Sequence, residues 1–369
     1  MTRIRTAAFG AGWVTTHRHV PAMRAHGGYD VAVLVDRRYD RARAAADRLG
    51  IPHARRGSAL EDVADLDIEA VTCGTAPFQH FEVVGSALRD GVHALTEKPF
   101  TMTIDEGEAL VELSSSHRAQ LVVMHNFQFA RSVRQADAWI RRGRLGRPRA
   151  IWAVQLSNPR RRLPEWYEEL PLGLFFDESP HLLYLVRHFV GDEIQLDRVS
   201  MVDSTRGAVR TPAQITAQYC APIPVTLSMN FEAPVSEWHL LVMGDEGAVS
   251  VDVFRDIAML IPNDGVHDTR GVLRSSLRAT WAHWLGHIRS GPRHVRGTLL
   301  YGTDEVFARF SAAIRSGTPP EGVSGRDALA VLRAQYELIS RAAAERAGEF
   351  SLDGPASPPA PSGHRDARC

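Results

Sequence analysis

The chain has 369 residues, 44% of them apolar, and its 43 basic and 43 acidic side chains leave a formal net charge of zero. That length can bury two domain-sized cores, and the neutral balance excludes the electrostatic footprint that non-specific binding to nucleic acid or a membrane surface requires. The longest uncharged stretch, Thr211 to Phe231, holds Pro212, Pro222 and Pro224 among many polar residues, so it reads as strands and a turn and not as a bilayer span.

The first apolar run, about five residues after Arg5, is too short for the core of a signal peptide. Three cysteines, Cys73, Cys220 and Cys369, are odd in number and far apart, giving neither a disulfide framework nor metal-ligand spacing. The expectation is a globular cytoplasmic protein with no metal, no membrane and no nucleic acid among its partners.

Residues 1–125 alternate short β-rich runs with amphipathic segments. The runs are Ile4 to Phe9, Val31 to Val35, Ile68 to Cys73, His93 to Thr96 and Leu121 to Met124; the segments lie near 14–26, 39–49, 77–90 and 103–117. Repeated units of this length need parallel strands with right-handed crossovers, which predicts an α/β, doubly wound parallel sheet. Residues 126–351 read differently. A helix-like stretch from Arg131 to Arg142 ends at Gly143, a strand follows at Ile151 to Leu156, and a helix runs from Asp177 to Phe189, closed by Gly191. Runs at Arg198 to Val202, Gln214 to Cys220, Val225 to Phe231, His239 to Met243 and Ala248 to Phe254 are joined by short turns, the mark of an antiparallel sheet in an α+β domain. Helices return at Thr280 to Ser290, Thr303 to Ser316 and Gly325 to Ala347. In the last of these, Leu329, Leu332, Tyr336 and Ile339 recur at helical spacing. Residues 352–369 include four prolines and little to bury, which predicts a disordered tail.

Gly10-Ala11-Gly12-Trp13-Val14-Thr15 follows the first strand and opens the first helix. In that setting a glycine turn lets a pyrophosphate approach the backbone N–H groups of a helix N-terminus. Thr15 stands where a third glycine is usual, so helix and strand are expected to sit slightly further apart. Asp36 ends the second strand, 24 residues after Gly12, where a carboxylate accepts hydrogen bonds from ribose hydroxyls and disfavours a 2′-phosphate. That favours NAD over NADP. Arg37 and Arg38 beside it can pair with a 2′-phosphate, stack on adenine, or lie solvated in a first turn. Thr72 to Pro77 closes the third run and leads into a helix carrying His80. Ligands of open α/β sheets lie beyond the carboxyl ends of the strands, so Thr75, Pro77 and His80 become candidates for the cofactor's surroundings, with an ordinary helix residue as the other reading of His80.

Of the 43 basic residues, only Lys98 is a lysine. Arginine cannot replace lysine where a compact, titratable point charge is required. Lys98 sits in Glu97-Lys98-Pro99, directly after the fourth run and at the same carboxyl edge as the glycine turn. A cation there can hydrogen-bond a substrate hydroxyl and favour its alkoxide-like transition state. Asp177 and His181 are four apart, on one face of a helix whose first turn is expected to include Pro180. A carboxylate beside an imidazole raises its basicity and fixes its orientation, as a general base requires, although such pairs also serve as plain structure.

The order of Gly10 to Trp13 with His19 and Pro21, Thr75 with Pro77 and His80, Glu97-Lys98-Pro99, and Asp177 with His181 resembles the Gfo/Idh/MocA oxidoreductase family over roughly residues 4 to 347. Leu145-Gly146 and Gly244 to Gly247 also look like turns of that family's second domain. The resemblance implies a Rossmann domain, then an α+β domain whose open antiparallel sheet is often buried between subunits, and a catalytic set at Lys98, Asp177 and His181. The chain departs from the family pattern at three points: Ser179 where Gly is common, Tyr184 where Asp is common, and Gln128, within Asn126-Phe127-Gln128-Phe129, where Arg is frequent. These departures bear on the substrate. Asn126, Gln128, Trp152, Gln155, Asn158 and Tyr184 are candidate substrate contacts, with a buried packing tyrosine as the other reading of Tyr184. Arg160-Arg161-Arg162 reads as a solvated turn, or as an anion contact if it faces the substrate.

The function expected is hydride transfer with NAD or NADP at a secondary alcohol or ketone of a sugar, cyclitol or nucleotide-sugar-type substrate. The alternatives are a tightly held cofactor in a redox-neutral cycle and a non-catalytic dinucleotide-binding regulator. An exposed antiparallel sheet face would leave a large apolar patch on a monomer, which predicts a homodimer or homotetramer.

Overall fold

A computed structural model of the chain describes residues 2–192, 194–206, 209–265 and 268–349. The tail expected at 352–369 lies outside them. The chain divides into two compact units, each discontinuous in sequence.

The first unit comprises Met1–Arg134 and Pro292–Arg333. Its sheet contains β1 (Ile4–Phe9), β2 (Tyr29–Asp36), β3 (His53–Arg56), β4 (Ala70–Cys73), β5 (His93–Thr96) and β6 (Leu121–Val123), in the order β3-β2-β1-β4-β5-β6. Every pairing is parallel. The strand order reverses beside β1, the switch point at which doubly wound folds open a crevice. In β2, Val31 to Val35 are all buried, because strands covered on both faces carry continuous apolar runs. The sequence offers no such signal for β3, a four-residue edge strand that ends on Arg55 and Arg56. Charged, short edges are how sheets avoid pairing with other chains.

Helices α1 (Val20–His26), α2 (Tyr39–Leu49), α3 (His80–Arg89) and α4 (Ile104–Ser116) lie within the segments read from the sequence, and α5 (Arg131–Arg141) follows them. Their ends have local causes. Gly50 closes α2 in the left-handed region at φ 61°, and Thr103 and Glu106 exchange hydrogen bonds across the first turn of α4.

The region after residue 126 does not stay together. Val306, Phe307 and Phe310 are buried in the same core as Val20, Ala22 and Met23, and Tyr29 donates its hydroxyl hydrogen to the Phe307 carbonyl at 2.6 Å. The helix that carries them (Thr303–Ser316) therefore belongs to the first unit, whereas a division at 125/126 assigns it to the second. Its apolar face is complete only against α1, a partner nearly 300 positions away that chain order does not reveal.

The second unit comprises Gln135–Gly291 and Ala334–Cys369. Its sheet is built from β7 (Pro148–Leu156), β8 (Gln195–Val202), β9 (Gln214–Cys220), β10 (Val225–Asn230), β11 (Glu237–Gly244), β12 (Gly247–Asp252) and β13 (Ile257–Pro262), in the order β13-β12-β11-β7-β10-β9-β8. Only β7 with β10 pairs in parallel. β13 is additional to the strands read from sequence. Gly244 and Gly247 face each other across the β11–β12 turn, where the sequence places one. One face of the sheet is closed: Ile151, Ala153, Ile215, Ala217, Leu227, Leu240 and Val242 are buried at alternate positions. The other face presents Trp152, 38% exposed, with Val154 and Leu241 half-buried.

The helix α6 (Leu174–Val190) begins three residues before the expected start, so Pro180 lies in its interior and not in its first turn. An interior proline removes the donor that would satisfy the carbonyl four residues back. That carbonyl belongs to Phe176, and it accepts instead from the side-chain amide of fully buried Gln335 at 2.6 Å. At the helix start, the Leu174 N–H donates to the Thr211 hydroxyl at 3.0 Å. Two long helices complete the secondary structure: α7 (Thr269–Val295), and one spanning Gly325–Glu349.

Candidate cofactor and acid–base residues

In the first unit the chemistry-bearing turns all follow the carboxyl ends of β1, β4 and β5. Gly10 has φ 85°, and a Cβ there would lie 2.7 Å from the Gly74 carbonyl oxygen, so the turn after β1 can approach the turn after β4 only as glycine. The Thr16 N–H donates to the Gly12 carbonyl at 3.1 Å, which starts the helical register at Gly12 and leaves Trp13 and Val14 in the first turn, where amides have no partner within a helix. A π-helical turn (Thr15–His19) leads into α1.

The Thr15 side chain packs against the facing turn at Gly74. It is fully buried, and its hydroxyl occupies the space that a Cβ on Gly74 would need. The missing third glycine is thus compensated by a glycine on the facing turn. The Thr15 hydroxyl makes no hydrogen bond among the described residues. A glycine turn, a helix start and an unsatisfied buried hydroxyl together suit a dinucleotide pyrophosphate.

Asp36 lies at the end of β2, its side chain 12% exposed. It already orders the turn: Oδ2 accepts from the Ala11 N–H at 2.9 Å and Oδ1 from the Arg38 N–H at 2.9 Å. Each oxygen retains a lone pair for a ribose hydroxyl. Arg37 reaches away from this carboxylate to the side-chain amide of Gln79, and Arg41 donates to the Ala11 carbonyl at 3.2 Å. Trp13 is 48% exposed and stacks on His17, with the Arg18 guanidinium 5.0 Å from its ring centroid and 5.3 Å from that of Tyr301. Tyr301 carries no sequence signal, because more than 280 positions separate it from Trp13.

His19 is the residue whose importance the sequence understates. It is fully buried, with Nδ1 2.8 Å from the Thr72 hydroxyl on β4 and Nε2 2.9 Å from Glu97 Oε1 after β5. The second Glu97 oxygen accepts from the Lys98 N–H at 3.2 Å. Burial opposes the charged form of Glu97. The His19 hydrogen bond, then the charges of His19 and Lys98, outweigh that, holding the carboxyl below its usual range. Lys98 is half-buried, and the Lys98–Pro99 peptide is cis.

His80 is fully buried and ties two turns together, with Nδ1 2.9 Å from the Pro99 carbonyl and Nε2 3.4 Å from that of Thr75. Burial lowers its pKa, favouring the neutral ring. The Thr75 hydroxyl is 3.2 Å from the buried Cys73 sulfur, and Pro77, also buried, begins the short turn before α3. Asn126 donates to the Tyr301 carbonyl at 3.1 Å. Gln128, 3% exposed, donates to the carbonyls of His125 and Gly322 at 2.9 and 2.8 Å. The Gln128 amide is therefore spent inside the unit and does not present its donors to a ligand.

In the second unit the residues of interest lie on α6 and around it. His181 is 9% exposed and Tyr184 3%, and the Tyr184 hydroxyl oxygen stands 2.6 Å from His181 Nδ1. The indole of Trp238, on β11, meets the imidazole edge to face, with ring centroids 5.3 Å apart. The nitrogen that an orienting partner would hold thus meets the Tyr184 hydroxyl.

Asp177 is half-buried, and its charge faces Arg161. Next to it Glu178, unremarked in the sequence, is buried and accepts from Gln155 at 2.5 Å and from Ser157 at 3.0 Å, and it also pairs with Arg161. Arg161 is thus an internal ion-pair partner and not a residue of a solvated turn. Trp152 and Gln155 are three apart on β7 and so point to opposite faces. Gln155 is fully buried against Glu178, its side-chain oxygen making no hydrogen bond among the described residues, while Trp152 remains exposed. Asn158 donates to the Pro234 carbonyl at 2.7 Å.

A parallel sheet in the order 3-2-1-4-5-6, with a glycine turn at its switch point and a carboxylate ending β2, defines a dinucleotide-binding α/β protein. Two family models match the chain: an oxidoreductase family with an NAD-binding Rossmann fold over residues 4–125, and the GFO/IDH/MocA C-terminal domain over residues 133–250. The chain belongs to the GFO/IDH/MocA oxidoreductase family.

It is 34% identical over 192 residues to an uncharacterised oxidoreductase of Schizosaccharomyces pombe, a match that spans 50% of each chain. It is 28% identical over 231 residues to the 1,5-anhydro-D-fructose reductase of Ensifer adhaerens, 58% of this chain and 68% of that one. The match to the first of these relatives thus spans only half of its length. An oxidoreductase of Agrobacterium radiobacter, solved with NAD+, L-tartaric acid and magnesium, shares the fold at a TM-score of 0.76, covering 94% of this chain and 98% of that one at 17% identity.

Proposed function

We propose that this chain is a dehydrogenase or reductase that uses NAD in preference to NADP. On this reading it interconverts a secondary alcohol and the matching ketone of a sugar, cyclitol or nucleotide-sugar-type substrate. The observation that carries the reading is Lys98. It is the single lysine among 43 basic residues, and it follows β5 at the same carboxyl edge as the glycine turn, next to a carboxylate that His19 and Thr72 hold in place. The Ensifer relative, named for reduction of an anhydro-sugar, supports the substrate class.

Nicotinamide, when bound, supplies the hydride acceptor or donor. In the oxidative direction the role of His181 is to take the hydroxyl proton at Nε2, and that of the Lys98 ammonium is to stabilise negative charge on a substrate oxygen. Asp177 favours the imidazolium that results. In reduction His181 returns the proton. Asp36 supports NAD because a carboxylate at the ribose disfavours a 2′-phosphate, while Arg37 is drawn off towards Gln79.

The reading extends to a homodimer or homotetramer in the cytoplasm. The apolar, half-exposed sheet face around Trp152 supports association, and Cys73 and Cys220, which form no disulfide among the described residues, suit a reducing compartment. No helix among the described residues is long and apolar enough to cross a membrane.

The test is a titration with NADH and, separately, NADPH, following energy transfer from the seven tryptophans. Tighter NADH binding, then turnover in a polyol and sugar screen with that cofactor, is the expected result. Binding of neither nucleotide by folded, nucleotide-free protein would overturn the reading, and a monodisperse monomer by light scattering would overturn the oligomer.

A further inference from the structure

A histidine that works through Nε2 must keep its other ring proton on Nδ1. If the proton sits on Nε2 instead, that nitrogen has no lone pair to offer. The group at Nδ1 therefore decides which form the ring adopts. In this chain that group is a phenol: the Tyr184 oxygen is 2.6 Å from His181 Nδ1, with Tyr184 3% and His181 9% exposed. The two residues are three apart on α6, so one helical turn fixes their distance, and their rings meet at 72°. From β11 the Trp238 indole closes on the imidazole at 89°.

Asp177, one turn earlier on α6, faces Arg161 from the segment between β7 and α6. Glu178 takes Arg161, Gln155 from β7 and Ser157 just after it.

We propose that Tyr184 is the positioning residue for His181: its hydroxyl oxygen accepts the Nδ1–H hydrogen bond and so leaves the Nε2 lone pair as the ring's working face. The phenol oxygen has two lone pairs and can accept while its own O–H donates elsewhere. In the oxidative direction the substrate proton forms the new bond at Nε2, the Nδ1–H bond to Tyr184 persists, and the ring becomes a cation with both nitrogens protonated. In reduction the Nε2 proton leaves and the same neutral tautomer is regenerated. An aspartate at this position would do the same with a full negative charge. The phenol fixes the tautomer without that charge, so the imidazolium is held less tightly and the proton is returned more readily. The assignment rests on the reading of His181 as the acid–base group, but the geometry it predicts can be tested without any substrate.

The experiment is a long-range ¹H–¹⁵N correlation on the full-length protein labelled at histidine, with the His181 signals assigned by their loss in His181→Gln. The parent is expected to show a protonated, pyrrole-type Nδ1 and a pyridine-type Nε2 at neutral pH. Tyr184→Phe, which keeps the ring and its packing, is expected to lose that pattern and to lower the His181 titration midpoint by about one pH unit, because the cation loses a hydrogen bond. A pyridine-type Nδ1 in the parent would overturn the proposal. So would an unchanged pattern or an unlowered midpoint in Tyr184→Phe. If the tautomer behaves as expected but His181→Gln leaves hydride transfer intact, the acid–base reading of His181 fails while the Tyr184 contact stands.

Discussion

The two units carry their chemistry on different kinds of backbone. In the first, Gly10, Gly74, Glu97 and Lys98 sit on turns that follow β1, β4 and β5, and the turns brace one another directly. Gly10 abuts Gly74, His19 spans Thr72 and Glu97, and the His80 ring lies between the carbonyls of Thr75 and Pro99. In the second, Asp177, His181 and Tyr184 lie on one helix, and the groups that support the helix come from distant segments: Thr211 at its start, Gln335 at Phe176, Trp238 against His181 and Gln155 beneath Glu178. Turns at the edge of a parallel sheet are placed by the strands before them, so a local motif there has a defined location. A helix is placed by whatever it packs against, so the same local motif leaves its surroundings open.

The largest expected effect separates the chemical step from cofactor binding. Lys98→Met removes the only ammonium from the β5 edge and should lower kcat by about a hundred- to a thousand-fold, with the NADH dissociation constant changed by less than about threefold. Steady-state kinetics and the tryptophan titration read the two quantities separately, and unchanged turnover would remove Lys98 from the reaction.

Next comes the bracing of the turns. Gly10→Ala forces a side chain into left-handed backbone and against the Gly74 carbonyl, at a cost of about 2–4 kcal/mol that should appear as a lower Tm together with weakened NADH binding. A fall in Tm with binding intact would mean that the turn is structural only.

The second unit is probed by Gln335→Ala. It leaves the Phe176 carbonyl buried without its donor and should cost about 1–3 kcal/mol. Hydrogen exchange should accelerate along α6 and not in the Rossmann sheet. Uniform acceleration across both units would show that the supports of α6 are not local to it.

The smallest effect concerns pH. The Glu97 carboxyl is held below its ordinary range in the folded protein, so its contribution to stability is complete above that range and is lost as pH falls through the folded value. Glu97→Gln should therefore flatten the fall in Tm between about pH 5 and pH 3 relative to the parent, by about 1 kcal/mol at most given the partial exposure of the group. Parallel acid limbs in the two proteins would show that His19 does not hold the ionised carboxylate.

Much of the fold was legible in the sequence where periodicity and punctuation are local. The βα alternation gave the strands from Ile4 to Val123 except β3, whose four residues end on two arginines. The span Thr303–Ser316 coincides with its observed helix, and Gly244 and Gly247 mark the hairpin between β11 and β12. Pro180 misled for a physical reason: proline usually marks a first turn because its missing donor is harmless there, whereas here a side chain 155 positions away makes the loss harmless in the interior.

The amino-acid sequence by itself determined the dinucleotide turn, the acidic end of β2, the lone lysine at a strand's carboxyl edge and the placing of Asp177 and His181 on one helix. Each depends only on residues within a few positions of one another or on the regular alternation of strands and helices. Tertiary structure alone decided that Thr15 is accommodated by Gly74, that His19 anchors Glu97, that the Thr303–Ser316 helix returns to the first unit, and that Tyr184 holds the ring nitrogen of His181. The first three join residues 59, 78 and more than 250 positions apart. The last is a contact that packing sets, because spacing leaves the rotation of the imidazole open.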